Sequence, residues 1–199
     1  MSTPTLKVAV QAWILDLYPS SGEKKAEARD NPKLRPLTNG LAIPSFWSKE
    51  QIDKTFQGAN KIWAQAKIEF GPVTIGDREM WVPDDDTGMW IEFVNKISPN
   101  TGTPGVGVGF VYDLAGKIGG VGGGKAAVIA LKKGDEAVAS YFPSILAHEL
   151  GHCLLGHEHN DDASNLMFEV RHPKRNNPDK LTADQITAAR ARASSLKSG

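Results

Sequence analysis

The chain has 199 residues, 40% of them hydrophobic, which is enough to bury a core in one domain. Lysine plus arginine and aspartate plus glutamate both number 23, so the formal net charge is zero and a basic face for nucleic acid is not indicated. A single cysteine excludes an internal disulfide, and no apolar run approaches the roughly 20 residues that span a membrane. We therefore expect residues 1–199 to form one globular domain.

The first part of the chain carries one strand pattern and one helix pattern. Residues 6–15 alternate apolar and polar side chains, which predicts a strand, and a polar loop with glycine and proline follows. Ser48 and Gln51 have the spacing of a capping box, with an apolar stripe after them. A helix is therefore predicted from Ser48 to about Ala66, packed on the sheet.

Two further strands are predicted before residue 100. Ile68–Ile75 is the second strand, and Gly71-Pro72 places it at a sheet edge or at a bulge, because proline cannot donate to a ladder. Trp90–Val94 predicts a short third strand. The carboxylate run Asp84–Asp86 lacks the oxygen-ligand pattern of a calcium loop, so calcium is unsupported and an exposed turn is the favoured interpretation.

Residues 102–124 are rich in glycine. No Gly-Lys-Ser/Thr step opens a helix there, so a phosphate loop is not predicted. Val106, Val108 and Phe110 alternate with glycine and predict a strand whose other face is bare backbone, open to close approach by another backbone. Flexible loop glycines without a contact role are the alternative. A further strand is predicted at 126–130.

The sequence His-Glu-Leu-Gly-His begins at His148 and has the H-E-x-x-H pattern of zinc hydrolases. A helix is predicted over Ser140–Leu155, and residues four apart on a helix share one face. His148 and His152 therefore offer two imidazole nitrogens to one metal. Glu149 is rotated away from that face, where it can hold a water without ligating the metal.

A third ligand must come from outside the helix, because catalytic zinc takes three protein ligands and keeps one position open. Gly156 is a natural helix stop, since glycine adopts the left-handed conformation at little cost. A chain that turns there can bring a histidine back toward the first two. By residue type, His157 and His159 both qualify.

From here the sequence resembles the metzincin metallopeptidases, in their matrixin-like branch. Their pattern H-E-x-x-H-x-x-G-x-x-H is present with one extra residue before Gly156, and counting from that glycine selects His159. The matrixin-like register then places an aspartate three residues later and a methionine eight residues later. Asp162 and Met167 occupy those positions, whereas counting from His157 breaks the register.

The resemblance implies an α+β fold of the zincin/metzincin type. It consists of a mixed twisted sheet, a backing helix, the zinc helix and a small C-terminal subdomain that ends in a helix. Thr182 and Gln185 form a second capping box, which opens that last helix and carries it to about residue 196. The implied division lies between an upper subdomain, about 1–156, and a lower one, about 157–199.

The resemblance also implies the chemistry. His148, His152 and His159 would bind Zn²⁺, and Glu149 would activate a zinc-bound water that attacks a peptide carbonyl. Met167 would lie beneath the three histidines as an apolar floor. The expected activity is that of a zinc-dependent endopeptidase.

The implied partner is a protein or peptide substrate, bound in extended form along a sheet edge near the zinc. Either the 102–124 segment or 126–131 is expected to supply that edge. Metzincins are mostly exported, so the resemblance favours a secreted or exported protein, although no signal-peptide pattern precedes the first strand.

The competing hypothesis is a catalytically inactive zincin-fold binding module that keeps structural zinc. The extra residue before Gly156 motivates it, while the presence of Glu149 argues against it, because a structural site needs no general base. Cys153 is interpreted as a small buried hydrophobe rather than a redox switch. His172 is interpreted as an ordinary surface or loop histidine.

Overall fold

The computed structural model describes residues 3–19, 45–82, 96–100, 102–113, 119–133, 136–137, 142–169 and 178–197. Within these ranges lie the strands β1 (Leu6–Pro19), β2 (Ile68–Val82), β3 (Val106–Asp113), β4 (Gly120–Gly123), β5 (Ala126–Lys133) and β6 (Glu136–Ala137). The helices are α1 (Lys49–Trp63), α2 (Phe142–Leu155) and α3 (Ala183–Lys197), and a 3-10 turn at Ala64–Ala66 follows α1.

The strands form one mixed sheet in the order β2-β1-β3-β5-β4, and β6 also pairs with β5. The β1-β2, β1-β3 and β3-β5 pairs are parallel, whereas β4 and β6 run antiparallel to β5. The mixed α/β architecture confirms the predicted zincin-like fold. Because β5 is paired on both sides, the 126–131 segment is not a sheet edge, and that half of the prediction is wrong.

The residues of strand β1 alternate between the buried and the exposed face of the sheet. Val8, Val10 and Ala12 are buried on one face while the residues between them are exposed, as alternation requires. The strand continues past its predicted end at residue 15, because β2 pairs with it as far as Pro19↔Val82. This extension is specified by the partner strand rather than by a local pattern.

Strand β2 has the irregularity that Gly71-Pro72 predicts. The register with β1 shifts between Val8 and Val10. Gly71 and Pro72 therefore face a single β1 residue, Ala9, which makes a bulge where the missing N–H of proline breaks no regular ladder. Strand β2 also ends the sheet order on this side, so the prediction of an edge or a bulge is confirmed on both counts.

Helix α1 begins with the predicted capping box. The Gln51 N–H donates to the Ser48 hydroxyl at 3.1 Å, and the Ser48 N–H donates to the Gln51 side-chain oxygen at 2.8 Å. Ile52, Phe56 and Trp63 form the buried stripe of the helix. This stripe, the inner face of the sheet and helix α2 together form one hydrophobic cluster.

Three sequence predictions fall outside the described residues. They are the strand at Trp90–Val94, the exposed turn at Asp84–Asp86 and the surface role of His172. None of the helices in the described part of the chain is long and apolar enough to cross a membrane.

The glycines of β3 allow the close backbone approach that their alternation predicts. Val106, Val108 and Phe110 are fully buried, and a Cβ placed on Gly107 would overlap the backbone carbonyl of Ile97. Backbone therefore packs directly on backbone at this point. Flexible loop glycines, the alternative interpretation, do not describe this segment.

We expect Gly107→Ala to lower the free energy of unfolding by about 2–4 kcal/mol, because the added methyl meets a carbonyl that cannot rotate away. Gly102→Ala is the control, since its Cβ would meet nothing within 4 Å and only its φ of +87° penalises a side chain. That control should cost about 1 kcal/mol. Urea unfolding followed by circular dichroism measures both, and equal losses would contradict the close approach.

Candidate metal centre

Helix α2 brings two imidazoles together on one buried face. His148 and His152 are 1% and 7% exposed, and their Nε2 atoms lie 3.1 Å apart. The ring planes are perpendicular, with centroids separated by 4.7 Å. This is the arrangement that a spacing of four residues on a helix predicts.

Backbone carbonyls fix the tautomer of both rings. The Nδ1 of His148 lies 2.7 Å from the Leu166 carbonyl oxygen, and the Nδ1 of His152 lies 2.8 Å from that of Gly156. A carbonyl oxygen only accepts, so each Nδ1 carries the hydrogen, and in the neutral form of either ring the lone pair is on Nε2. A metal ion between the two rings would bind both Nε2 atoms.

The charge state of His152 agrees with a metal-binding role. Burial lowers the pKa of its ring, the Gly156 carbonyl raises it, and the neighbouring His159 and His157 lower it further. The net shift is downward, so the neutral form is favoured near pH 7, and the neutral form is the one that offers a lone pair. The donor set therefore fits a zinc ion.

Gly156 ends α2 and starts the return of the chain. Its φ of +91° is left-handed, and its N–H donates to the His152 carbonyl at 3.2 Å. The same residue therefore stops the helix and orients the ring of His152 through its own carbonyl. A glycine is required here because other residues rarely adopt this conformation.

His159 returns to the pair on α2. Its ring centroid lies 5.4 Å from that of His148 and 5.0 Å from that of His152. One ligand atom from each of the three rings lies within 4.8 Å of the other two, and this is the metal-compatible group found among the described residues. His159 is exposed, unlike the other two.

His157, the alternative third ligand, lies elsewhere. Its ring centroid is 6.0 Å from that of His152, and a Cβ on Gly123 of β4 would overlap the ring. The ring therefore rests on the glycine strand and is not a member of the three-histidine group. The metal-compatible group thus contains His159 and not His157.

The loop that carries His159 is held by its own hydrogen bonds. The Asn160 N–H donates to the Met167 carbonyl at 2.8 Å, and the Asp162 carboxylate accepts from the N–H and hydroxyl of Ser164 at 2.8 and 2.9 Å. These bonds from Ser164 lower the pKa of the Asp162 carboxyl. Asp162 therefore shapes the turn between the third histidine and the methionine.

Glu149 lies under the glycine-rich strand β4. Its side chain is buried, and a Cβ on Gly120 would lie 2.7 Å from the Glu149 Cγ. A Cβ on Gly122 would overlap the Glu149 backbone carbonyl. The glycines of β4 are thus required for the strand to pass directly over this part of α2.

Met167 lies against the helix between the two histidines. It is 1% exposed, and a Cβ on Gly151 would overlap its sulfur. The indole of Trp63 borders the same position and donates to the Ala147 carbonyl at 3.1 Å. Gly151, the second variable position of the H-E-x-x-H motif, therefore leaves room for the methionine.

Cys153 is not a member of the three-histidine group. The thiol is buried and donates to the Ala126 carbonyl of β5 at 3.3 Å. Burial raises its pKa to about 12, so the reactive thiolate is nearly absent near pH 7. The residue behaves as the small buried hydrophobe that was predicted.

The carbonyls that orient the rings are functional groups that sequence reasoning misses. Leu166 and Gly156 contribute backbone oxygens, and every residue type has one, so no sequence signal identifies them. Only the fold determines which carbonyl meets which ring.

The mixed sheet, the two packed helices and the histidine group on α2 together define a zincin of the metzincin type. The sequence model of the Matrixin peptidase family matches residues 41–191. This match covers more than half of the chain, so the protein belongs to the matrixin family of metallopeptidases. No curated protein matches the chain.

We expect His159→Ala to weaken Zn²⁺ binding by more than about 100-fold, because loss of a direct ligand should exceed the 10–100-fold effect of outer partners. His157→Ala is the matched control and should change the affinity only a few-fold. Competition with a chromophoric chelator measures both dissociation constants. The opposite order of effects would assign the third position to His157.

Proposed function

We propose that this protein is a zinc-dependent endopeptidase. Membership of the matrixin family supports a metallopeptidase, and three histidines on the described chain could hold the metal. The observation that carries the proposal is the pair of Nε2 atoms 3.1 Å apart on α2, with the His159 ring beside them in one metal-compatible group. Three imidazoles grouped in this way are a ligand set that zinc takes in hydrolases.

His148, His152 and His159 would hold the zinc. When bound between neutral imidazoles, Zn²⁺ keeps its full charge, polarises a carbonyl and lowers the pKa of a water to about 7. The protein contributes the positions of the rings, because two of them are already fixed by backbone carbonyls. Little rearrangement of these two ligands is needed on binding.

Glu149 is the proposed general base and acid. It follows His148 directly, so it lies beside the histidine face without sharing it. In a water-excluded site its carboxylate would take a proton from the attacking water and pass it to the departing amine. Its burial beneath β4 keeps bulk water from competing for that proton.

Strand β4 is the proposed binding edge for substrate. Among the described strands it ends the sheet order and pairs with β5 alone. It also passes over Glu149 through Gly120 and Gly122. An extended peptide that pairs with the outer edge of β4 would therefore run past the general base.

We further propose that the chain acts as a single catalytic domain divided near Gly156. Helix α3 packs back on the start of the sheet, where the Arg190 guanidinium donates to the carbonyls of Ala66, Lys67 and Pro4 at 2.8, 3.2 and 3.1 Å. These bonds join the C-terminal helix to the residues that immediately precede β1 and β2. Such contacts favour one cooperative unit over two independent ones.

We expect Glu149→Gln to lower kcat/KM on peptide libraries by about 10²–10⁴-fold while zinc content stays unchanged, because the amide cannot accept the proton. Glu69→Gln, the same substitution at a solvent-accessible side chain of the edge strand β2, is the control and should keep full activity. Cleavage-site profiling by mass spectrometry measures both variants beside the wild type. Equal cleavage by Glu149→Gln and wild type would reject this mechanism.

Zinc removal separates the enzyme from an inactive binding module. Because the core is closed and two rings are held by carbonyls, we expect chelation to abolish cleavage while the circular dichroism spectrum and a cooperative thermal transition remain. Adding Zn²⁺ alone should restore activity, and Ca²⁺ alone should not. Collapse of the fold on chelation, with no substrate cleaved by the zinc-loaded protein, would favour the module.

A further inference from the structure

A buried amide lies next to the methionine of the metal centre. The Asn165 side chain is 3% exposed, and its Oδ1 accepts from the Met167 N–H at 2.9 Å. Its Nδ2 donates to the Gln185 Oε1 at 2.8 Å, and the Gln185 Nε2 donates back to the Asn165 Oδ1 at 3.2 Å. We call Asn165 and Gln185 the amide pair.

The peptide group between Leu166 and Met167 connects Asn165 to His148. The N–H of Met167 and the C=O of Leu166 belong to the same peptide bond, which is planar. Asn165 binds the N–H, and the Nδ1–H of His148 donates to the C=O at 2.7 Å. The orientation of this one plane therefore links Asn165 to the ring of His148.

The side chain and the N–H of Leu166 are also held in place. Its side chain is fully buried, and its N–H donates to the Lys180 carbonyl at 2.7 Å. The Leu166–Met167 peptide plane could still rotate, and the hydrogen bond from the Met167 N–H to the Asn165 Oδ1 restrains that rotation.

Gln185 connects the plane to the beginning of α3. Its Oε1 also accepts from the Thr182 N–H at 2.9 Å, and its own N–H donates to the Thr182 hydroxyl at 3.2 Å. One side chain thus completes a capping box and half of the amide pair. The bond from the Thr182 backbone N–H holds the Gln185 Oε1 in place, and this oxygen is the one that accepts from the Asn165 amide.

We propose that the amide pair is a positioning device for His148, which it keeps ready for the metal by fixing the Leu166–Met167 peptide plane. Both members are positioning residues and neither touches the reacting atoms. The inference rests on the metal site of the proposed function but not on peptide cleavage. Partners of metal-bound histidines are typically worth 10–100-fold in affinity, and a residue that orients such a partner acts through the same bond.

The test measures Zn²⁺ and Co²⁺ affinity of the full chain by chelator competition, at a temperature where every metal-free variant is folded. Asn165→Ala and Gln185→Ala should each weaken binding about 10–100-fold. The double variant should lose no more metal affinity than the single variant that binds more weakly, because the two residues act as one unit. The Co²⁺ d–d absorption should also change in both, since it reports ligand geometry around the ion.

Thr182→Ala is the matched control for helix stability. It removes the hydroxyl half of the cap, which costs about 1 kcal/mol, but leaves the amide pair in place. Its thermal midpoint should fall while its metal affinity and Co²⁺ spectrum stay as in the wild type. Loss of affinity equal to that of Gln185→Ala would show that the cap, and not the amide pair, matters, and would overturn the inference.

Gln185→Glu keeps the test decisive if an alanine variant does not fold. Glutamate retains the acceptor for Thr182 and for the Asn165 Nδ2, but loses the donor to the Asn165 Oδ1. We expect normal folding and a Zn²⁺ affinity about 10-fold weaker, at the lower end of the range for outer partners. Unchanged affinity in this variant would overturn the inference.

The same measurements separate the two proposals. A wild-type protein that binds Zn²⁺ with the predicted ranking of variants but cleaves no peptide leaves the positioning role standing and rejects the peptidase. If the wild type cleaves peptides and both Asn165→Ala and Gln185→Ala bind Zn²⁺ as tightly as it does, only the positioning role is rejected.

Discussion

Two hydrogen bonds from imidazole rings to backbone carbonyls set the geometry of the metal centre. Each Nδ1–H of His148 and His152 is directed at a carbonyl, so the two Nε2 atoms must face each other at 3.1 Å. Turning either ring away would leave a buried N–H without an acceptor, at a cost of about 1–3 kcal/mol. The fold therefore holds the two Nε2 atoms together, in positions from which both could bind one metal ion.

Close packing around these rings depends on residues that lack side chains. Gly151 leaves room for the sulfur of Met167 on one side of α2, and Gly120 and Gly122 let β4 lie on Glu149 on the other. A methyl group at Gly151 would push Met167 away from the helix, and one at Gly120 or Gly122 would push strand β4 away. Glycine is thus part of the site, although it contributes no chemical group.

Local patterns made much of this structure predictable. The alternation of β1, the capping box at Ser48 and the spacing of the histidines each depend on neighbours within a few residues, and the described structure contains them. The pairing of β1 with β2 as far as Val82 depends on two segments distant in sequence, so neither predicts it alone. The carbonyls of Leu166 and Gly156 could not be predicted, because a backbone oxygen has no sequence signature and only the folded chain selects it.

The three histidines differ in how firmly the fold holds them. His148 and His152 are buried and bonded to carbonyls, whereas His159 is exposed and reaches them from a loop beyond Gly156. The entropy lost on metal binding is therefore concentrated in that loop, since the rotamers of the other two rings are already restricted. The hydrogen bond from the Asn160 N–H to the Met167 carbonyl restrains the loop next to His159 and so reduces this loss. The loop after Gly156 would thus offer the proposed third ligand with much of its ordering already completed when the chain folds.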